Sequence, residues 1–233
     1  SLKEKSFAPI TWSPDGELIT YGSGVDGDTI GIINWQTEQE VTTLTGPFGR
    51  GRNLTKLAWN PASDRNYVAT WSLTDQSIRI WDIQTGHVID SVDARSLQPA
   101  FLAWNPEGTR LAASLKDGFQ IWNWDGKRFT EDLKAAGHSD MALWLSWSPD
   151  GDRVATGASD RTAKIWNSVT GQELLSLGGH KGAEMTFWHP DGQRLVTAEL
   201  GFPEEACNKY LWDARKGYAA EQQVPEPETG NTP

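Results

Sequence analysis

Apolar and polar residues alternate in short stretches along most of this chain, with the period of two that strands require and not the 3.6 of helices. Arg153-Val154-Ala155-Thr156 and Thr162-Ala163-Lys164-Ile165-Trp166 are two such stretches, and each is bounded by a turn signal. One signal recurs five times: Trp12-Ser13-Pro14-Asp15-Gly16, Trp59-Asn60-Pro61, Trp104-Asn105-Pro106-Glu107-Gly108, Trp147-Ser148-Pro149-Asp150-Gly151 and Trp188-His189-Pro190-Asp191-Gly192. Proline presets φ at about −65° and glycine accepts positive φ, so Pro-Asp-Gly reverses the chain between two strands.

The landmark tryptophans are spaced by 47, 45, 43 and 41 residues. A second landmark follows each first one, at Ile33-Asn34, Ile80-Trp81-Asp82, Ile121-Trp122-Asn123, Ile165-Trp166-Asn167 and Leu211-Trp212-Asp213. A period of forty to fifty residues with strand patterning predicts one four-stranded meander per repeat. The repeats begin near residues 7, 54, 99, 142 and 183, the array occupies 1–223, and the proline-rich stretch 224–233 reads as a disordered tail or linker. A lone four-stranded sheet leaves a face uncovered, so neighbouring copies must stack, and stacking around an axis protects their edges.

This pattern resembles the WD40 repeat family from about Phe7 to Gln223. The fourth copy carries the resemblance best, with Gly137-His138, Trp147-Ser148-Pro149-Asp150-Gly151, Ser159-Asp160 and Ile165-Trp166. The resemblance implies an all-β, WD40-type β-propeller of five four-stranded blades, with an open or incomplete ring allowed. It also implies that His138, Thr156, Asp160 and Trp166 form a structural tetrad joining a loop to the strands of one blade. Elsewhere the pattern thins. Gly-His stands ahead of a repeat's first strand only at Gly137-His138 and Gly179-His180, Ile33 stands where Trp is expected, and Asp becomes Asn at Asn34, Asn123 and Asn167. Blades lacking the tetrad should lean on apolar packing, with Trp35 and Trp124, at matching positions, as fillers.

A hydrophobic content of 37% is low for a packed domain, but 13 Trp among 233 residues supply large apolar area from few positions. The formal charge of −10 argues against nucleic acid or an anionic membrane as partner. A single cysteine, Cys207, forms no internal disulfide, which permits the cytoplasm as the expected compartment. The absence of an initiator Met suggests a processed or excised part of something longer, and an open blade edge would favour self-association.

No catalytic residue, metal or cofactor is expected. His138, Ser159 and Asp160 are the residue types of a hydrolase triad, but related residues recur with the blade (Asp75 and Trp81, His180 and Trp212), which points to structure. Asp26-Gly27-Asp28 and Asp117-Gly118 lack the ligand spacing of a calcium loop and read as hairpin turns. The function expected is a non-catalytic scaffold that binds a protein or peptide through the top face and rim. The alternative is a propeller enzyme or small-ligand (sugar) binder with a site at the axial channel. The glycine-rich segment Gly46-Pro47-Phe48-Gly49-Arg50-Gly51-Arg52 supplies the first candidate contacts, Phe48, Arg50 and Arg52, because Arg and aromatic residues anchor interfaces. Trp71, which falls where the fourth repeat has Gly157, reads equally as extra core or as an anchor. Leu143, on the first strand of the fourth repeat, is the remaining candidate, and its neighbour Trp144 is read as packing between blades.

Overall fold

In a computed structural model, which describes residues 10–23, 28–48, 56–62, 67–180, 183–200, 208–215 and 222–223, the strands form five antiparallel sheets of four. Blade 1 consists of β1 (Thr11–Trp12), β2 (Leu18–Ser23), β3 (Thr29–Asn34) and β4 (Gln39–Thr45). Blade 2 holds β5 (Lys56–Trp59), β6 (Tyr67–Ser72), β7 (Ser77–Asp82) and β8 (Val88–Asp93), and blade 3 holds β9 (Leu102–Trp104), β10 (Arg110–Ser114), β11 (Gly118–Trp124) and β12 (Phe129–Ala136). Blade 4 is β13 (Ala142–Trp147), β14 (Arg153–Ala158), β15 (Ala163–Asn167) and β16 (Glu173–Leu177). Blade 5 is β17 (Ala183–Trp188), β18 (Arg194–Leu200), β19 (Lys209–Asp213) and β20 (Gln222–Gln223). Within every sheet the strands pair in chain order. The tail at 224–233 lies outside the described residues.

The Pro-Asp-Gly turns form for the reason the residue types suggest. Gly16, Gly108, Gly151 and Gly192 take φ between 66° and 74°, where a Cβ is disfavoured. In blade 4 the Ser148 hydroxyl donates to Asp150 and accepts from the Arg153 amide at 2.9 Å, closing the turn from inside. In blade 3 the Asn105 side chain performs the same task, accepting from the amides of Thr109 and Arg110 at 2.9 and 2.8 Å.

The core lies between blades. At each junction the following sheet turns its landmark tryptophan toward the preceding blade, which presents its opposite face. At the junction of blades 3 and 4, Ala112, Phe119 and Ile121 meet Leu145, Trp147, Val154 and Trp166, all buried. Three further clusters repeat this arrangement along the array. The landmark indoles also reach backwards across the junction. Trp59 donates to the Thr11 hydroxyl at 3.1 Å, Trp104 to the Ala58 carbonyl at 3.2 Å and Trp147 to the Ala103 carbonyl at 3.1 Å.

The first of the five landmarks behaves differently. Trp12 is 54% exposed and meets the exposed Trp35 edge to face at 5.9 Å. Trp124 fills core, as expected of both, but Trp35 does not, because no described sheet lies on that side of blade 1.

Candidate interaction surface and the contacts that hold it

Antiparallel order brings the start of each first strand, the loop between second and third strands and the loop between blades to one end of the array, here called the top. In blade 4 these loops are tied together. His138 Nδ1 lies 2.9 Å from the Asp160 carboxylate, His138 Nε2 lies 2.7 Å from the Thr156 hydroxyl, and the Trp166 indole donates to that same hydroxyl at 2.8 Å. A neutral imidazole protonated on Nδ1 satisfies every member: the indole donates to Thr156, Thr156 to His138, and His138 to Asp160. Asp160 also accepts from the Ser139 and Thr162 amides at 2.9 and 3.0 Å, so one carboxylate pins both top loops.

Burial lowers the His138 pKa from its usual 6.5, against the opposing pull of Asp160. Burial by itself would raise the Asp160 pKa, but hydrogen bonds from Thr162, Ser139 and His138 hold it below the usual carboxylate value. Both ring nitrogens of His138 are therefore engaged with Asp160 and Thr156, an arrangement that serves to brace the blade.

The other blades keep part of this network. In blade 5, Trp212 donates to Thr197 at 2.9 Å and His180 Nε2 lies 2.9 Å from the same hydroxyl, while the Arg161 backbone carbonyl of blade 4 stands 3.3 Å from His180 Nδ1. In blade 2 the Trp81 indole donates to Thr70 at 2.8 Å. Blade 3 has Ala113 at the threonine position, and the buried Trp122 indole N–H has no hydrogen-bond partner among the described residues. In blade 1, Tyr21 and Ile33 replace Thr and Trp, and the Tyr21 ring lies on Gly31, where any Cβ would fall within 2.3 Å of it.

Phe48, expected as an exposed contact, is 2% exposed and packs on Trp81 at 5.4 Å. The physical reason lies in the alignment of Gly46 with Gly137: a Cβ on either would crowd the blade's tryptophan, at 3.1 Å from Trp81 and 3.0 Å from Trp166. Phe48 thus fills in blade 2 the space that His138 fills in blade 4. Trp71, also proposed as an anchor, is buried with Trp104 and Trp122 between blades 2 and 3, which settles its two readings in favour of core. Arg50 and Arg52 lie outside the described residues.

Leu143 sits half-buried at a bulge in β13, where the register slips between Ala142 and Trp144, and Met141 beside it is exposed. Trp144 packs on Phe101 of blade 3 at 4.4 Å and on Phe187 of blade 5 at 5.5 Å, joining three blades near the inner strands. Among the described residues no group of three or more His, Cys, Asp or Glu side chains converges as a metal site.

A further device had no motif to mark it. The first residue of the second strand in blades 1 to 4, Leu18, Tyr67, Arg110 or Arg153, faces the following blade, and Arg194 holds the same position in blade 5. Leu18 joins the cluster of Ile83 and Trp59, and Tyr67 meets Trp124 edge to face at 5.6 Å. Arg110 and Arg153 place their guanidinium groups 5.3 and 4.6 Å from the ring centres of Trp147 and Trp188. Arg153 also donates to the Ala214 carbonyl at 3.1 Å, and Arg110 to the Ser168 hydroxyl at 3.2 Å. In sequence this position is the second residue after the turn glycine in four of the five repeats, a regularity that becomes meaningful only when the neighbour it touches is known.

Stacked four-stranded blades, a Trp-Thr-His-Asp network and loops gathered at one end define a β-propeller of the WD40 type. Residues 131–167 match the family described as WD domain, G-beta repeat. The chain is 30% identical over 159 residues to the B-type cell cycle switch protein ccs52B of Medicago truncatula, covering 68% of this chain and 32% of that protein. It is 22% identical over 225 residues to WD repeat-containing protein slp1 of Schizosaccharomyces pombe, covering 95% of this chain and 44% of that protein. A chain of the solved structure described as "Crystal Structure of Mitotic Checkpoint Complex" shares the fold, with a TM-score of 0.75 at 22% identity over 94% of this chain and 65% of that one. This chain belongs to the WD40-repeat family, and it spans less than half the length of those two curated relatives.

Proposed function

We propose that the chain is a non-catalytic scaffold that binds a protein or peptide partner over the top of blades 3 to 5. The observation that carries this reading is the double anchoring of the blade 4 top loops through Asp160, beside the exposed Met141 and the half-buried Leu143. Loops held rigidly on a sheet scaffold present side chains without a large ordering cost on binding. The names of similar proteins, a cell cycle switch protein and a chain within a mitotic checkpoint complex, support a role in a protein assembly. Arg50 and Arg52 stay candidate contacts on charge and residue type alone.

The test is binding of a fluorescent peptide library to the parent chain and to Met141→Glu, Leu143→Glu and Val169→Glu. Val169 is exposed in the turn between β15 and β16 at the opposite end, and serves as control. The top substitutions should weaken captured peptides by about tenfold or more while Val169→Glu leaves them unchanged. Equal affinity across all three variants would move the site away from the top.

A further inference from the structure

Five lysines and arginines among the described residues are buried or half-buried: Lys56, Arg79, Arg110, Arg153 and Lys164. Four of them have a carboxylate at hand, Arg79 that of Asp75, Arg110 that of Asp132 at 2.7 Å, Arg153 that of Asp150 at 3.8 Å and Lys164 that of Glu173 at 2.8 Å. Lys56 has none among the described residues, although the chain has a formal charge of −10. Burial alone holds its amine below the usual 10.5, with no neighbouring charge to oppose the shift. A partly desolvated cation without a counter-charge works against folding, and such groups gather where a ligand completes them.

The fold puts that amine next to an aromatic pair. Lys56, Phe101 and Trp144 each stand three residues before the landmark tryptophan of their blade, at the top of the inner strands of blades 2, 3 and 4. Those strands neighbour one another in that order, and each of the three blades has a described blade on both sides. Lys56 lies opposite Trp71 in its sheet, so it leaves blade 2 on the face turned to blade 3. Phe101 leaves blade 3 on the face turned to blade 4, where its ring meets that of Trp144 at 4.4 Å. Both rings are half-buried. The bulge at Leu143 adds an apolar side chain beside Trp144, with the exposed Met141 above it.

We propose that the top of blades 2 to 4 recognises an acidic peptide segment of a partner protein, whose carboxylate pairs with Lys56 while a neighbouring aromatic or long aliphatic side chain lies on Phe101 and Trp144. The proposal rests on the reading of the top as the binding face, extends it to blade 2 and names the chemistry it selects. The carboxylate supplies the charge that the fold withholds from Lys56, in a place partly shut off from water, where the attraction counts for more than on an open surface. An amide at the same position leaves the lysine uncompensated, and a basic side chain is repelled by it. Phe101 and Trp144 add apolar area that favours no charge, so the two halves of the site are separable by experiment.

The test is fluorescence anisotropy of the 233-residue chain with capped hexapeptides that carry one Glu and one Phe, Trp, Leu or Met at varied separations, each beside a twin with Gln in place of Glu. The best Glu peptides should bind about tenfold or more tighter than their Gln twins at low salt. Lys56→Met should erase that preference by weakening the Glu peptides alone, and Lys56→Arg should keep it. Phe101→Leu, its fold checked by the near-ultraviolet tryptophan spectrum, should weaken both twins alike. Because Lys56 has no counter-charge to lose, Lys56→Met should unfold at the temperature of the parent or above it. Five results would each overturn the proposal: no Glu peptide binding the parent, twins binding it equally, a preference that survives Lys56→Met, a marked fall in that variant's unfolding temperature, or twins indifferent to Phe101→Leu. Peptides that show no preference for Glu but are lost with Met141→Glu or Leu143→Glu would keep the top as the binding face and remove Lys56 from it. Peptides indifferent to those two substitutions would instead remove the top itself.

Discussion

The Thr156 hydroxyl joins an indole and an imidazole that are both shut away from water, so removing it strands two polar groups at once. Thr156→Val should therefore destabilise the chain by about 2–3 kcal/mol, read from chemical unfolding. Blade 3 offers the converse experiment. Ala113→Thr places an acceptor where the buried Trp122 N–H has none, and should raise stability by about 1 kcal/mol if the methyl group fits. His138 adds a pH dependence whose sign is set by its lowered pKa. The folded state binds the proton less readily than the unfolded chain, whose imidazole titrates near 6.5, so this contribution is whole above that value and is lost as pH falls below it. Unfolding midpoints should drop between neutral pH and about 5, and His138→Gln, though less stable overall, should show a flatter profile in that window.

Blades are held to one another by side chains that reach across, and the arginines at the heads of second strands show how position alters the worth of one residue type. Arg153 sits over Trp188 and donates to backbone carbonyls of blade 5, whereas Arg194 bonds side chains of its own turn in solvent. Arg153→Met should cost about 2 kcal/mol, and Arg194→Met in dilute, monomeric protein should cost a few tenths at most. Equal losses in thermal or urea unfolding would mean that the cation lying over the tryptophan contributes little. The same comparison explains why Trp35 and Trp124, which occupy matching strand ends, have opposite fates. Tyr67 of blade 2 covers Trp124, and blade 1 has no described blade before it to cover Trp35.

An array whose sheets touch only their neighbours has a stability that varies along its length. Among the described residues, blades 2, 3 and 4 are covered on both faces, while blades 1 and 5 each have a described neighbour on one face alone. Hydrogen exchange followed by mass spectrometry should accordingly find the slowest amides in β10, β11, β14 and β15, and the fastest strand amides in β1 and β2. Uniform protection across all five blades at low concentration would contradict an open array.

The fold could be read from the chain because turn chemistry and strand alternation are local, and five copies of one landmark made the period visible without any contact being known. The tetrad could be named for blade 4, where every member kept its residue type, and in part for blades 2 and 5 through Asp75 with Trp81 and His180 with Trp212, while Thr70 and Thr197 were marked only by the indoles that donate to them. Phe48 is core and not the contact expected of it, because an aromatic residue on a glycine-rich stretch looks the same whether it faces solvent or fills the space of a missing histidine, and the even choice at Trp71 between core and anchor could not be made without its neighbours. Burial is a property of what lies opposite. The neighbour of Phe48 is Trp81 of its own blade, and the neighbours of Trp71 include Trp104 and Trp122 of the next. Local residue types therefore determined that the chain makes blades and how many; which faces are covered, which arginine lies on which ring and which tryptophan is left bare followed from the order in which the blades stack.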